Sequence, residues 1–113
     1  MQYFDVVIVG GGPGGLAAAK GAKDAGAKSV LLLEREGETG GILKQCIHDG
    51  FGLIRYNKQL TGPEYAARAL AEIKDSGVEI KTGFIVTSIS SEKVVTAISP
   101  NGLEHFKAGS VVL

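Results

Sequence analysis

Between Val6 and Gly15 the chain reads VVIVGGGPGG and continues directly into LAAAKGA. Four apolar β-branched residues in succession suit a strand buried on both faces, the kind found in parallel sheets. Five of the next six residues are glycine, which suits a backbone that something else must approach closely. A helix of small residues follows. Strand, glycine turn and helix, in that order, are the context in which the GxGxxG spacing of Gly10, Gly12 and Gly15 reads as a dinucleotide-binding turn.

In such a turn the first glycine permits the bend, the second lets a pyrophosphate reach the backbone, and the third lets the helix pack tightly on the strand. Ala17, Ala18, Ala19 and Ala22 extend that close packing. Pro13 fits the first helical turn, where its missing N–H removes nothing the helix uses. Donors to a bound phosphate must then come from Gly12, Gly14 and Gly15. The helix is expected to end near Gly26, and Ser29 to Leu33 forms a second buried strand ending in Glu34. Glu34 stands about 20 positions beyond the glycine turn, where an acid meets a ribose hydroxyl and repels a 2′-phosphate, so NADP is disfavoured as this turn's ligand. A glycine-rich connection without a ligand and a solvated charge at a strand end are the plain alternatives. The common register of strand, turn, helix, second strand and acid selects the nucleotide.

Beyond Glu34 the segment Arg35 to Gly41 is too glycine-rich for regular structure, and the Gly40–Gly41 pair suits either a return toward the ligand or a surface loop. Cys46, His48 and Asp49 then fall within four positions. A lone cysteine is more often a small buried hydrophobe than a nucleophile, so both readings of Cys46 stand. Two histidines and one cysteine without repeated ligand spacing argue against zinc. Leu53 to Leu60 reads as a polar connector. Thr61 and Glu64 form a capping-box pattern that opens a helix running to about Ser76, with Ala66, Ala69, Leu70 and Ile73 on one face and Gly77 as its stop. Val78 to Lys81 is a short strand.

From Thr82 onward the character changes. Phe84 to Ile89, Lys93 to Ile98 and Glu104 to Lys107 are β-rich with no helix between them, Pro100-Asn101-Gly102 is a hairpin turn, and Ser110 to Leu113 begins one more apolar strand. The pattern predicts an α/β fold: a parallel sheet with helices and an appended antiparallel β-meander. The length of 113 residues fits one domain. The net charge of zero, without blocks of like charge, excludes electrostatic tracking of nucleic acid or anionic membrane. The single cysteine excludes an intramolecular disulfide. With no signal-like start and no apolar run of about 18 residues, a soluble cytoplasmic protein is expected. The closing VVL reads as a strand cut short, which leaves an open sheet edge and predicts self-association or a partner subunit.

With these motifs in place, the chain resembles the N-terminal FAD-binding part of the pyridine nucleotide–disulphide oxidoreductase family, flavoproteins with two dinucleotide-binding domains. Within that superfamily GGILKQCIHDGFG and LTGPEY resemble the branch related to the α subunits of opine and sarcosine oxidases. The resemblance implies a Rossmann-like domain over residues 1–113, without the NAD(P)H domain and the C-terminal flavin-contacting segment of a complete protein. It implies that Gly10, Gly12, Pro13, Gly14 and Gly15 surround the FAD pyrophosphate, that Glu34 binds the adenosine ribose and that Arg35 lies beside the adenine. Gly40 and Gly41 would line the route to the flavin, and backbone near Ile85 would touch the adenine. The implied activity is that of a flavin-dependent oxidoreductase with NAD(P)H as co-substrate. The CxxxxC pair of the disulphide reductases is missing. Cys46 alone permits only the sulfenic acid chemistry of single-cysteine relatives, a peroxide or mixed-disulphide reductase. An NAD-binding regulatory or assembly module is the alternative from another class.

Overall fold

The computed structural model describes residues 1–37 and 62–113. Among the described residues six strands, β1 (Gln2–Val9), β2 (Val30–Glu34), β3 (Glu79–Thr82), β4 (Ile85–Ile89), β5 (Val94–Ser99) and β6 (Gly102–Val112), join helices α1 (Pro13–Asp24) and α2 (Gly62–Asp75). One sheet runs in the order β3-β2-β1-β6-β5-β4. The pairs β1·β2, β2·β3 and β1·β6 are parallel, whereas β4·β5 and β5·β6 are antiparallel. The expected parallel sheet with an appended meander is therefore the architecture.

A flat sheet in this order is impossible. β3 and β4 lie at opposite edges, five strand spacings or about 24 Å apart if flat. Only Gly83 and Phe84 connect them, a link of about 11 Å at full stretch. The sheet must curl so that the meander lies over its own parallel half. Two hydrogen bonds fasten the link across the end of β2: the Gly83 N–H donates to the Glu36 carbonyl at 2.9 Å and the Phe84 N–H to the Glu34 carbonyl at 3.0 Å.

The curl gives β2 two apolar neighbours, which explains why all five of its residues are buried. Val30 and Leu32 pack with Ile8, Leu16, Ala19, Ala69, Ile73 and Val78 on the helical side. Leu31 and Leu33 face the other way, against Val7, Val95 and Phe106. Phe106 meets Phe4 edge-on with centroids 6.1 Å apart and Phe84 at 6.3 Å. Each helix contributes the stripe that its 3.6-residue period predicts, Leu16 and Ala19 from α1 and Ala69 and Ile73 from α2.

One expectation needs correction. The two segments expected at Glu104–Lys107 and Ser110–Leu113 fall on a single strand, β6, of 11 residues that ends at Val112. Its first half pairs with β5 and its second with β1, so it welds the meander to the parallel sheet. Gly109, between the two expected segments, is a point of close approach between β6 and β1. A Cβ there would sit 2.7 Å from the Asp5 carbonyl oxygen and 2.9 Å from the Tyr3 hydroxyl. At this level the core-facing side shifts in both strands, from Phe4 to Val7 and from Ala108 to Val111, while the register stays constant. We expect Gly109→Ala to destabilise the chain by about 1–3 kcal/mol through overpacking, read as a lower urea midpoint at unchanged slope.

Asp5 fastens the turn that leads into β2. Its Oδ2 accepts from the Lys28 N–H at 2.8 Å and the Ser29 N–H at 3.3 Å, while its own N–H donates to Ser29 Oγ at 2.9 Å. The Lys28 N–H holds the carboxyl below its ordinary 3.8; partial desolvation opposes this, and the Ser29 N–H, the Tyr3 hydroxyl and the Lys28 charge add to it. A depressed folded value means that the contribution is complete above the unfolded value and is lost as pH falls through the folded one. Asp5→Asn should therefore lower the unfolding midpoint at neutral pH, and the gap to wild type should close in acid below 3.8. Urea titrations across that range check this.

Candidate functional site

The glycine turn leaves β1 with Gly10 at φ +107°, a left-handed conformation that other residues rarely adopt. The Gly10 N–H donates to the Leu33 carbonyl at 2.8 Å, so the turn starts fastened to the end of β2. Gly12 is the N-cap of α1 and Pro13 its first residue. A glycine cap has no side chain to serve the free N–H groups, and the first turn of α1 carries no acidic residue. The first helical bond is from the Leu16 N–H to the Gly12 carbonyl, 2.9 Å. Among the described residues, the N–H groups of Gly12, Gly14 and Gly15 donate to nothing. These are the three donors the sequence nominates, at the positive end of the helix dipole.

The glycines divide by what surrounds them. A Cβ on Gly15 would lie 1.8 Å from the Gly10 carbonyl oxygen, which is the close helix-to-strand packing expected of the third motif glycine. A Cβ on Gly12 or Gly14 would meet no heavy atom of the described residues within 4 Å. The described residues do not require glycine at those two positions for space, and the backbone at Gly12, φ −76° and ψ −175°, suits any residue. The open cradle over three unbonded N–H groups has the chemistry of a pyrophosphate seat.

Glu34 is buried beneath this turn, 6% exposed. Its Oε1 accepts from the Gly11 N–H at 2.7 Å and its Oε2 from the Glu36 N–H at 2.7 Å. A carboxylate offers about four acceptor positions, of which the described residues take two. Arg35 is exposed, with Nε 3.9 Å from a Glu36 carboxylate oxygen. Ile85 begins β4 just after the link fastened to Glu34, and its side chain is exposed. Gly40, Gly41, Cys46 and His48 lie outside the described residues. The sequence reading passed over Gly11. Its signal is position alone, a glycine between two motif glycines, and its part emerges only when the Glu34 side chain is seen against its N–H.

Residues 5–100 match the family described as FAD dependent oxidoreductase. Over 101 residues the chain is 38% identical to digeranylgeranylglycerophospholipid reductase 2 of Methanopyrus kandleri, covering 89% of this chain and 20% of that protein. It is 55% identical over 44 residues to the sarcosine oxidase subunit alpha of a Corynebacterium species, 39% of this chain and 4% of that subunit. Among solved structures, L-proline dehydrogenase from P. horikoshii superposes with a TM-score of 0.81 at 22% identity, over 96% of this chain and 22% of that one. The chain thus spans about a fifth of the length of the Methanopyrus reductase.

The two kinds of glycine should respond differently to alanine. Gly15→Ala is expected to lower the thermal midpoint by several degrees, since about 1 kcal/mol shifts a domain of this size by about 4–8 °C. Gly14→Ala, inside the first turn of α1, should not lower the midpoint and should weaken FAD binding, followed by flavin fluorescence. With a match over most of its length and the strand, open glycine cradle and buried acid in place, the chain belongs to the FAD-dependent oxidoreductase family.

Proposed function

We propose that this chain forms the adenosine and pyrophosphate half of an FAD site in a larger oxidoreductase. The observation that carries the reading is the set of N–H groups of Gly12, Gly14 and Gly15, unbonded among the described residues, with open space at Gly12 and Gly14 that no described atom fills. In this reading they hold the pyrophosphate, with Gly10 setting the bend and Pro13 pre-forming the first helical turn. The remaining acceptor positions of Glu34 take ribose hydroxyls, and the same carboxylate repels a 2′-phosphate. Arg35 and the backbone at Ile85 border the adenine, and Gly40 and Gly41 line the way to the flavin. FAD supplies hydride transfer through its N5, with NAD(P)H as donor in the complete protein. The chain's own contribution is to bind and orient. Cys46 is left with the single-cysteine chemistry its resemblance allows.

Denaturing the purified full-length protein and assaying the supernatant for flavin tests the reading. Released FAD is the expected result; no flavin, together with saturable NAD binding, would replace it with the nucleotide-binding module. The isolated chain should retain FAD weakly, because only half of the site is present. β3 and β4 each pair with one neighbour in the described sheet, which supports self-association of the isolated chain, visible as concentration-dependent sedimentation.

A further inference from the structure

We propose that Glu34 is a positioning residue for the pyrophosphate seat, acting through the Gly11 N–H as well as on any ribose. This rests on the cofactor reading above. The seat is a backbone object, and its three donors converge only if the turn from Gly10 to Gly15 keeps one shape. Two bonds tie that turn to β2: the Gly10 N–H to the Leu33 carbonyl at 2.8 Å and the Gly11 N–H to Glu34 Oε1 at 2.7 Å. The second is charge-assisted and short, and its acceptor is buried and immobilised from behind by the Glu36 N–H. The Glu34 carbonyl is in turn fixed by the Phe84 N–H. Gly11 therefore gains from a side chain the restraint that its own lack of one denies it, and the next residue, Gly12, presents the first free donor. A rigid donor set loses less freedom on binding an anion than a mobile one.

Glu34→Gln preserves shape but sets an amide NH2 group against one of the two N–H donors. In the ligand-free wild-type chain, amide hydrogen exchange by NMR should show Gly10 and Gly11 protected and Gly12, Gly14 and Gly15 exchanging freely. In Glu34→Gln the Gly10 and Gly11 amides should exchange about tenfold faster, consistent with loss of one charge-assisted bond, while core amides such as those of Leu31 and Val95 keep their rates. Inorganic pyrophosphate, which has no ribose, should bind the variant about tenfold more weakly than wild type. Unchanged pyrophosphate binding with a loss confined to ADP would mean that Glu34 acts on ribose alone and would overturn the proposal. Gly11 exchanging as fast as Gly12 in the wild type would overturn it without any variant, so a variant that fails to fold leaves the test intact. A wild-type chain whose Gly12, Gly14 and Gly15 amides respond to neither pyrophosphate nor FAD removes the cofactor reading itself, and that outcome is recognisable because it needs no substitution.

Discussion

The interaction on which the rest depends is the pair of 2.7 Å hydrogen bonds that the Glu34 carboxylate accepts from Gly11 and Glu36. A buried carboxylate without donors is strongly disfavoured, so the surrounding backbone must turn its N–H groups inward. Satisfying one acid thereby fixes three things: the path of the glycine turn, the exit of the chain from β2, and, through the Glu34 and Glu36 carbonyls, the passage of the Gly83–Phe84 link. The same residue that gives the site its charge also sets where the meander starts.

That meander is a physical necessity for β2. A strand of Val30, Leu31, Leu32 and Leu33 has no polar face, and the described helices cover only one side of it. In many parallel sheets a second helical layer covers the other side. Here β4 to β6 curl over and bring Val95, Phe84 and Phe106 instead. The cost of this solution is a sheet that must turn over within one strand, and Gly109 is where β6 passes close enough to Asp5 to allow it.

Local patterns made much of this legible. The GxGxxG spacing placed Gly10 at the bend and Gly15 in the tight contact, because each role leaves its mark on a single residue. The apolar runs marked β1 to β5 to within a few positions. The continuity of β6 was hidden, since a glycine in a strand signals a break in sequence and a close approach in space, and only the partner strand decides which. The second duty of Glu34 was hidden for the same reason. Position and charge point to a ribose, whereas the bond to Gly11 depends on how β1 and β2 pair.

The division among the glycines follows from these packing facts. Gly10 and Gly15 are required by the fold, one for its left-handed backbone and one for a contact that admits no Cβ. Gly12 and Gly14 are required by nothing the described residues contain. A chain that carries glycine where its own packing tolerates a side chain accepts the extra unfolded-state entropy of each for some other reason. Three unbonded N–H groups beside those two positions give that reason a chemical identity, an anion that must come within hydrogen-bonding distance of bare backbone. The glycines the fold requires thus build the turn, and the other two keep it open.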